Sequence, residues 1–500
     1  MPDSPVIVAV DQGTSSTKCV VVDSERRVLG VDTVPISQQH PRPGWVEQDA
    51  AEILRSVLTV LRRARDAYGS RICAVGLSTQ RESALVWERA TGRSVGPVLG
   101  WQDRRTSGVV QRLIADGISA DVAARTGLPL DPMFSAPKLE WLLDQSDPDR
   151  RLSRAGHLAV GTVDSWLAYN LTGEHVIETG NASRTLLLDI DRVAWDADLL
   201  EIFNIPEQAL PELIASDADR AGRGGDAPLA AVLADSHAAL YGHGVRAQGA
   251  AKATYGTGSS VMGLVGEGQY VPSSLARTIA WTIQGKTMRA FEGNILSTGA
   301  TLVWLADLLQ TTPAELLEIA AGAPVLHGID LVPAFAGLAA PWWDASAVGT
   351  LSGFTLGTDR AALARAAADS IALQVEDVLA ACEAGGLRIG SVLLDGGPSA
   401  NDWLVQLQAD LSQRVVQRSR VAELSAYGAA LLAGATRGLW DPDLGGLQSG
   451  DTFVPRLDSV TAEERRRSWA AAVASARGSA ADRRGQTSET TSSREYKHVE

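Results

Sequence analysis

Two distant segments of the chain follow one pattern, in which an apolar strand is joined to a turn of glycine and hydroxyl residues. In the first segment, the apolar residues 6–10 lead into the turn 11–16, and a second strand is predicted at residues 17–22. In the second segment, the turn 253–260 precedes the apolar run 261–265. Turns of this kind allow successive backbone N–H groups to face one anion. The shared pattern predicts a duplicated architecture.

Helical and strand patterns alternate along the rest of the chain. Asp49 is placed to cap a long helix, and residues 72–77 form the next predicted strand. Such alternation is typical of an α/β fold. Because 500 residues exceed what one hydrophobic core usually supports, we expect two domains. We place them at residues 1–247 and 248–474, followed by a disordered tail at residues 475–500, which is rich in Ser, Thr, Arg and Gly.

The charge and the cysteine content argue against several classes of function. Lys and Arg total 45 and Asp and Glu total 59, which gives a net charge of −14. A chain this acidic, with no basic tract, is not expected to bind nucleic acid or anionic membrane surfaces. The three cysteines form no CxxC pair, so neither a disulfide framework nor a zinc site is predicted. No apolar run is long enough to span a membrane, and we expect a cytoplasmic protein.

The first turn carries residues suited to a metal and phosphate site. Asp11 ends the apolar strand, and its carboxylate is a hard oxygen ligand of the kind that Mg²⁺ prefers. Gly13 permits an unusual backbone angle. Two hydroxyl groups and one positive charge follow, at Thr14, Ser15 and Lys18. The alternative is an ordinary β-hairpin turn, which Asp- and Gly-rich sequences form readily.

Two glycine-rich turns in the second half are candidates for the rest of a nucleotide site. One contains Gly256 and Thr257. The other spans residues 394–401, where a predicted strand is followed by two glycines and the start of a helix. Such a stretch of backbone lets a nucleotide base or a phosphate lie close to it. Either turn would also serve as a plain packing turn, so neither is decisive alone.

Polar residues at two further strand ends are suited to binding a hydroxyl compound. Asp235 follows the apolar run 229–234, and a carboxylate there can act as general base toward a hydroxyl group. The commoner role of Asp at such a place is to cap a helix. Arg81 and Glu82 offer donors and acceptors to a polyol, and Trp101 offers a face for C–H stacking. Their alternatives are a surface ion pair and a core tryptophan.

Ten short motifs, in this order, resemble the FGGY family of carbohydrate kinases over about residues 5–470. They are VDQGTSSTK (10–18), PRPGWVEQD (41–49), STQRES (78–83), WQDRRT (101–106), GTVDSWL (161–167), NASRT (181–185), TYGTG (254–258), VPAFAGLAAPWWD (332–344), LDGGPSAN (394–401) and AYGAALLAG (426–434). A P-loop is ruled out because Ala280 stands where its first glycine is required. The resemblance implies an α/β fold of two ribonuclease H/actin-like domains with an interdomain active-site cleft. It also implies a homodimer or a homotetramer, since members of the family are often one or the other.

The resemblance also implies roles for individual residues in ATP-dependent phosphoryl transfer. Asp235 would be the general base, and Asp11 would act at the catalytic centre by holding Mg²⁺. The residues implied in nucleotide binding are Thr14, Ser15, Lys18, Gly256, Thr257, Gly299, Gly397 and Asn401. Those implied in acceptor binding are Arg81, Glu82, Trp101, Met133, Asp235 and Ser236. The expected ligands are therefore ATP, Mg²⁺ and a small polyol or sugar.

Within the family the motifs are most similar to those of glycerol kinases, apart from positions around the acceptor. Met133 replaces a tyrosine, Ser236 a glutamine and Ser260 a phenylalanine. When a buried substrate hydroxyl loses its hydrogen-bond partner, the binding free energy weakens by about 1–3 kcal/mol. The three replacements therefore favour a different acceptor, such as a four- or five-carbon polyol or a ketose. Arg81 and Glu82 instead favour glycerol, because xylulose kinases typically carry Met-His there. We expect a glycerol-kinase-like enzyme. A xylulose-type, tetritol or pentitol kinase is the alternative, and an actin-like ATPase without a sugar acceptor comes third.

Overall fold

The computed structural model describes residues 4–442 and 450–492. The strands of the first half are β1 (Val6–Gln12), β2 (Ser16–Asp23), β3 (Val28–Pro35), β4 (Glu47–Gln48), β5 (Ile72–Thr79), β6 (Ala84–Glu88), β7 (Val98–Leu99), β8 (Leu158–Thr162), β9 (Val176–Glu178), β10 (Leu188–Asp189), β11 (Ala194–Trp195), β12 (Glu212–Ile214) and β13 (Leu229–Ala234). Its helices are α1 (Ala50–Tyr68), α2 (Ser107–Ala115), α3 (Ser119–Thr126), α4 (Ser135–Ser146), α5 (Arg151–Arg154), α6 (Val163–Thr172), α7 (Thr179–Ala182), α8 (Ala197–Ile202) and α9 (Asp235–Gly242).

The second half continues the same alternation of strands and helices. Its strands are β14 (Ala250–Tyr255), β15 (Ser259–Val265), β16 (Ala276–Ile283), β17 (Lys286–Ile295), β18 (Asp330–Val332), β19 (Thr350–Ser352), β20 (Ser391–Asp395), β21 (Val415–Arg418) and β22 (Asp451–Phe453). Its helices are α10 (Gly299–Leu308), α11 (Pro313–Ala321), α12 (Arg360–Ala384), α13 (Asp402–Ser412), α14 (Leu424–Thr436) and α15 (Ser459–Ser492). Within the described ranges, no helix is both long enough and apolar enough to cross a membrane.

The central sheets of the two halves share one topology. The first half has the strand order β13–β5–β1–β2–β3, and the second half contains the matching order β21–β20–β14–β15–β17. In each half the first strand pairs antiparallel with the strand after its turn and parallel with the strand on its other side. The duplicated α/β architecture predicted from the two turns is therefore confirmed.

The first strand is buried on both faces because helices from both halves cover its sheet. Val6, Val8 and Val10 pack in one apolar cluster with residues of α1. Ile7 and Ala9 point the other way, into a cluster that includes residues of α14 from the second half. This explains why residues 6–10 read as an uninterrupted apolar run rather than an alternating one. The core of the first sheet is thus completed by the second half.

Two local predictions about helix ends have different outcomes. Asp49 caps α1, with its carboxylate accepting a hydrogen bond from the backbone N–H of Ala51 at 2.8 Å, as predicted. At the other end of the chain, the tail predicted from residue 475 begins inside α15. Val473 and Ala476 of that helix are buried in the core of the second half, an apolar face that the Ser- and Arg-rich composition hides. Residues 493–500 lie outside the described residues.

Candidate active site

The charged residues predicted at strand ends lie along one edge of the first sheet. Asp11 is near the end of β1, and Asp235 directly follows β13. Arg81 and Glu82 follow β5, which lies between those two strands. Because β1, β5 and β13 run parallel, their carboxyl ends meet at this edge, where open α/β sheets bind their ligands. The fold therefore brings these four residues together, as the resemblance implied.

A chain of ion pairs fixes residues that the resemblance assigns to acceptor binding. Arg81 is shared between two carboxylates, with Nε 3.3 Å from Oδ1 of Asp235 and Nη2 2.7 Å from Oε1 of Glu292. Arg184 is shared in the same way, with Nε 2.7 Å from Oε1 of Glu82 and Nη1 2.8 Å from Oε2 of Glu292. Four of these five side chains are buried, and Asp235 is partly exposed. The carboxylate predicted to be the general base is thus the one that solvent can reach.

Glu82 adopts a backbone conformation that is uncommon for a residue with a side chain, with φ at +60°. Such strain costs about 1–3 kcal/mol and persists where the surroundings hold it. Here Arg184 holds the carboxylate, and the hydroxyl of Ser135 donates to the backbone carbonyl of Glu82 at 3.1 Å. The conformation turns the chain at the end of β5, so that Arg81 and Glu82 both enter the ion-pair chain.

Both aspartates at the strand ends have a pKa above the usual value for a carboxyl group. Burial, and then the charge of Asp235, raise the pKa of Asp11 to about 7, although the hydroxyl of Ser78 donates to it at 2.8 Å. Burial likewise raises the pKa of Asp235, against the opposing effect of Arg81. Among the described residues, no basic side chain forms an ion pair with Asp11. This uncompensated carboxylate would be stabilised by a cation.

The first turn contacts the acceptor residues through Trp101. The indole Nε1 of Trp101 donates to the hydroxyl of Thr14 at 3.1 Å. Ser15 is exposed at the tip of the turn. Lys18 is already engaged, because its Nζ lies 2.6 Å from Oε2 of Glu423, just before α14. A phosphate that contacts Lys18 would therefore share it with a carboxylate from the second half.

The second turn is joined to the start of α10 by backbone hydrogen bonds. The N–H of Gly299 donates to the carbonyl of Gly256, and the N–H of Ala300 donates to the carbonyl of Thr257, both at 3.0 Å. A Cβ atom at residue 299 would lie 2.4 Å from the carbonyl oxygen of Gly256, so this approach requires glycine. The predicted residues Gly256, Thr257 and Gly299 thus form one surface.

The third predicted turn lies against the second one. Gly396 has φ at +92°, and a Cβ atom there would stand 2.0 Å from the carbonyl oxygen of Tyr255, which ends β14. Gly397 has open space where its Cβ would be. Asn401 caps α13, accepting from the backbone N–H of Leu404 at 3.0 Å. The structure therefore places Gly397 and Asn401 beside the turn that carries Gly256.

The three positions that depart from the glycerol kinase pattern lie in different surroundings. Ser236 directly follows Asp235 at the start of α9, and the hydroxyl of Ser260 donates to Oε1 of Glu292 at 3.0 Å. Met133 is half-buried against the apolar cluster around α4, and its carbonyl accepts from Lys138. Among the contacts of the described residues, none joins Met133 to the ion-pair chain. Ser260 thus contacts the ion-pair chain and Ser236 adjoins Asp235, whereas Met133 packs against the apolar cluster around α4.

Comparison with known proteins agrees with this architecture. Residues 6–222 match the N-terminal domain of the FGGY family of carbohydrate kinases, and residues 251–437 match its C-terminal domain. The chain belongs to this family. The first match contains the first glycine-rich turn and four of the five strands of the first central sheet, and the second match contains the second turn and most of the second sheet.

Individual members of the FGGY family are similar over nearly the whole chain. The glycerol kinase of Aromatoleum aromaticum is 43% identical over 490 residues, which are 94% of this chain and 99% of that protein. The crystal structure of Plasmodium falciparum glycerol kinase with ADP superposes with a TM-score of 0.89 at 28% identity, covering 95% of this chain and 98% of that one. The gluconate kinase of Lactobacillus acidophilus, at 21% identity, has a TM-score of 0.87 over 96% and 99% of the two chains and shows the shared fold alone.

Several residues of this FGGY site were not predicted from the sequence. Glu292 lies at the centre of the ion-pair chain, yet the sequence of β17 gives no local sign of its role. Arg184 lies in the NASRT motif but was given no role. Lys252, buried beside the site on β14, donates to the hydroxyl of Thr254 at 2.8 Å, and burial lowers its pKa. Such residues are recognised only once the two halves are in contact.

Proposed function

We propose that this protein is an ATP-dependent phosphotransferase that phosphorylates a hydroxyl group of a small polyol, with glycerol as its first candidate. One observation carries the proposal. Asp235, the solvent-reachable carboxylate, lies at the carboxyl edge of the sheet beside Arg81, and the first glycine-rich turn lies at the same edge. A base, an acceptor-binding cation and a phosphate turn are the parts that phosphoryl transfer to an alcohol requires. The similarity to proteins named glycerol kinase supports the same reaction.

The chemistry assigned to Asp235 is proton removal from the attacking hydroxyl. A general base works best when its pKa is near the working pH, and the raised pKa of Asp235 moves in that direction. Arg81 limits the rise and keeps the carboxylate oriented through its Nε. Arg81 Nη1 is buried and has no hydrogen-bond partner among the residues that the structure describes, so it is available to a hydroxyl of the acceptor. Positioning of the two reactants then supplies most of the rate.

The nucleotide is assigned to the turns of the second half. Gly256, Thr257 and Gly299 lie at the start of α10, and the N-terminal end of a helix favours an anionic phosphate. Gly397 and Asn401 lie beside them and would line the adenosine. Thr14, Ser15 and Lys18 would meet the transferred phosphoryl group from the first half.

Mg²⁺ fits the carboxylate of Asp11. That carboxylate is half-buried, has no ion-pair partner among the described residues, and has a pKa that burial and the charge of Asp235 raise. No group of three or more His, Cys, Asp and Glu side chains suited to a metal occurs within the described ranges. This agrees with an ion that takes one or two protein carboxylates and obtains its other ligands from phosphates and water. When bound, such an ion neutralises charge on the phosphates of ATP.

A longer acceptor is the second candidate, and the two serines favour it. Ser260 stands where glycerol kinases carry a phenylalanine, and its hydroxyl faces Glu292 instead of closing the site with an apolar ring. Ser236 is shorter than the glutamine it replaces. Both changes leave room and polar groups for an additional hydroxyl, as a tetritol, a pentitol or a ketopentose would provide.

The test is an acceptor-dependence measurement on the purified protein with Mg–ATP. ADP release is followed with glycerol, erythritol, threitol, arabitol, ribitol, xylulose, ribulose and gluconate, each varied in concentration. We expect a marked preference, with the highest kcat/KM for glycerol. A preference for a four- or five-carbon compound would assign Ser236 and Ser260 as specificity determinants. ADP release that is the same with and without every acceptor would contradict the proposal and favour an ATPase.

A further inference from the structure

We propose that Glu292, from the second half, is a positioning residue for the acceptor site. It sets the orientation of Arg81 and Arg184 and thereby determines how tightly the acceptor binds. The inference rests on the proposed function, and it adds that the acceptor site is incomplete without a carboxylate from the half to which the nucleotide is assigned.

The contacts of Glu292 place it at the centre of the site. It lies in β17, is fully buried, and has an arginine within ion-pair distance of each carboxylate oxygen. Oε1 lies 2.7 Å from Nη2 of Arg81 and accepts from the hydroxyl of Ser260 at 3.0 Å. Oε2 lies 2.8 Å from Nη1 of Arg184. One carboxylate from the second half therefore engages both arginines of the first half.

The charges explain why those arginines need this partner. Burial alone would raise the pKa of Glu292, but the neighbouring Arg184 and then Arg81 hold it well below its usual range. Without the charge of Glu292, the nearest remaining partners of Arg81 are Asp235 at 3.3 Å and Glu82 at 3.9 Å. Arg81 would then move toward the carboxylate assigned as the general base. The donors that face the acceptor would be displaced with it.

The segment that carries Arg184 is also attached to the second half. Just before Arg184, the hydroxyl of Ser183 lies 2.8 Å from the hydroxyl of Thr278 in β16 and accepts from the backbone N–H of Ile279 at 3.1 Å. Strand β16 pairs with β17, in which Glu292 lies. The same pair of strands therefore fixes both the backbone beside Arg184 and the carboxylate that its side chain meets.

If Glu292 only stabilised the fold, its substitution would change stability, whereas a positioning role predicts a change in acceptor binding. Glu376 in α12 provides the matched control, because it too is a glutamate of the second half paired with a buried arginine, Arg414. Glu376 also approaches Arg466 at 3.9 Å, in α15, and none of its partners belongs to the ion-pair chain of the acceptor site. Glu292→Gln and Glu376→Gln make the same substitution, of a carboxyl group by an amide, with the same change of shape.

The experiment compares steady-state kinetics and thermal unfolding of the wild type and both variants, with acceptor and ATP varied separately. We expect Glu292→Gln to raise the acceptor KM by about ten- to a hundredfold, which corresponds to the loss of a charged hydrogen bond. Its KM for ATP should stay within about twofold of the wild-type value. Glu376→Gln should lower the unfolding temperature and leave the acceptor KM unchanged.

Two outcomes would overturn the inference alone. One is a folded Glu292→Gln enzyme with a wild-type acceptor KM, and the other is an equal rise of the acceptor KM in Glu376→Gln. If Glu292→Gln does not fold, Glu292→Asp keeps the charge at a shorter reach, and a raised acceptor KM with an unchanged ATP KM is the supporting result. An unchanged acceptor KM in that variant overturns the proposal. A wild type without acceptor-dependent turnover would overturn the proposed function, and this inference with it.

Discussion

On the side of the site proposed to bind the acceptor, charged side chains from both halves contact one another, whereas on the side proposed to bind the nucleotide, glycine-rich turns pack backbone against backbone. Arg81 is fixed by three carboxylates at distances from 2.7 to 3.9 Å. Gly299 and Gly396 instead approach carbonyl oxygens of the facing turn so closely that a Cβ atom would stand 2.4 and 2.0 Å away. The geometry of the proposed acceptor side therefore depends on its charged groups, and that of the proposed nucleotide side depends on the absence of side chains at its glycines.

Of the substitutions considered, removal of the carboxylate at Asp235 should lower the catalytic activity most. Asp235→Asn keeps the shape but cannot take a proton, so we expect kcat to fall by about 10²–10⁴-fold, the usual contribution of a general base. Acceptor-dependent ADP release measures the change. ADP binding, followed by calorimetry, should remain near wild type because the nucleotide side is untouched. Asp226→Asn, at an exposed aspartate paired with Arg65, is the matched control and should keep full activity.

A methyl group at Gly396 should lower the stability of the fold around the turns assigned to the nucleotide. Gly396→Ala places a side chain at φ +92° and against the carbonyl of Tyr255. We expect a loss of more than about 1 kcal/mol in the free energy of unfolding, together with weaker ADP binding. Urea denaturation measures the loss. A variant as stable as the wild type would show that the turn is looser than the close approach indicates.

The pH dependence of kcat/KM should reveal the protonation of Asp235. The base must be deprotonated to act, and burial raises its pKa above the usual value, so activity should fall as the pH is lowered through that raised pKa. The acid limb should therefore lie above about pH 4, the ordinary range for aspartate. Acceptor kcat/KM measured at saturating Mg–ATP tests this. The limb should be absent from the residual activity of Asp235→Asn, and its persistence there would assign it to another group.

The smallest expected effect is the sharpest test of where the nucleotide lies. Gly397→Ala adds a methyl group with no protein atom within 4 Å, so the free energy of unfolding should change by less than about 0.5 kcal/mol. If adenosine lies over this backbone, the KM for ATP should rise severalfold with the acceptor KM unchanged. An ATP KM equal to that of the wild type would remove Gly397 from the nucleotide site.

Local patterns in the sequence account for much of this architecture. Each turn follows its strand directly in the chain, so Asp11, Asp235 and Gly256 could be placed at strand ends without knowledge of the tertiary fold. Arg81 and Glu82 were predicted for the same reason. The two-domain expectation needed only the repetition of one pattern and the length of the chain.

The contacts across the halves could not be predicted in this way. Glu292 meets Arg81 and Arg184 only because β17 pairs between β15 and β16, and nothing local in the sequence specifies that register. Lys18 was predicted to contact phosphate from its place beside the first turn, and its ion pair with Glu423, 405 positions further along the chain, could not be predicted locally. The predicted tail illustrates a related difficulty, since the apolar face that buries Ala476 is narrow within a polar stretch. Charge pairs between distant parts of the chain therefore could not be predicted from the sequence, whereas the residues at strand ends could.

The destination of the γ-phosphoryl group tests the central claim most directly. The protein is incubated with Mg–ATP and glycerol, and the products are followed by phosphorus NMR. Our account predicts that ADP and a phosphomonoester of glycerol appear together in equal amounts, with little inorganic phosphate. Inorganic phosphate as the main product, formed at the same rate without glycerol or any other polyol, would contradict it.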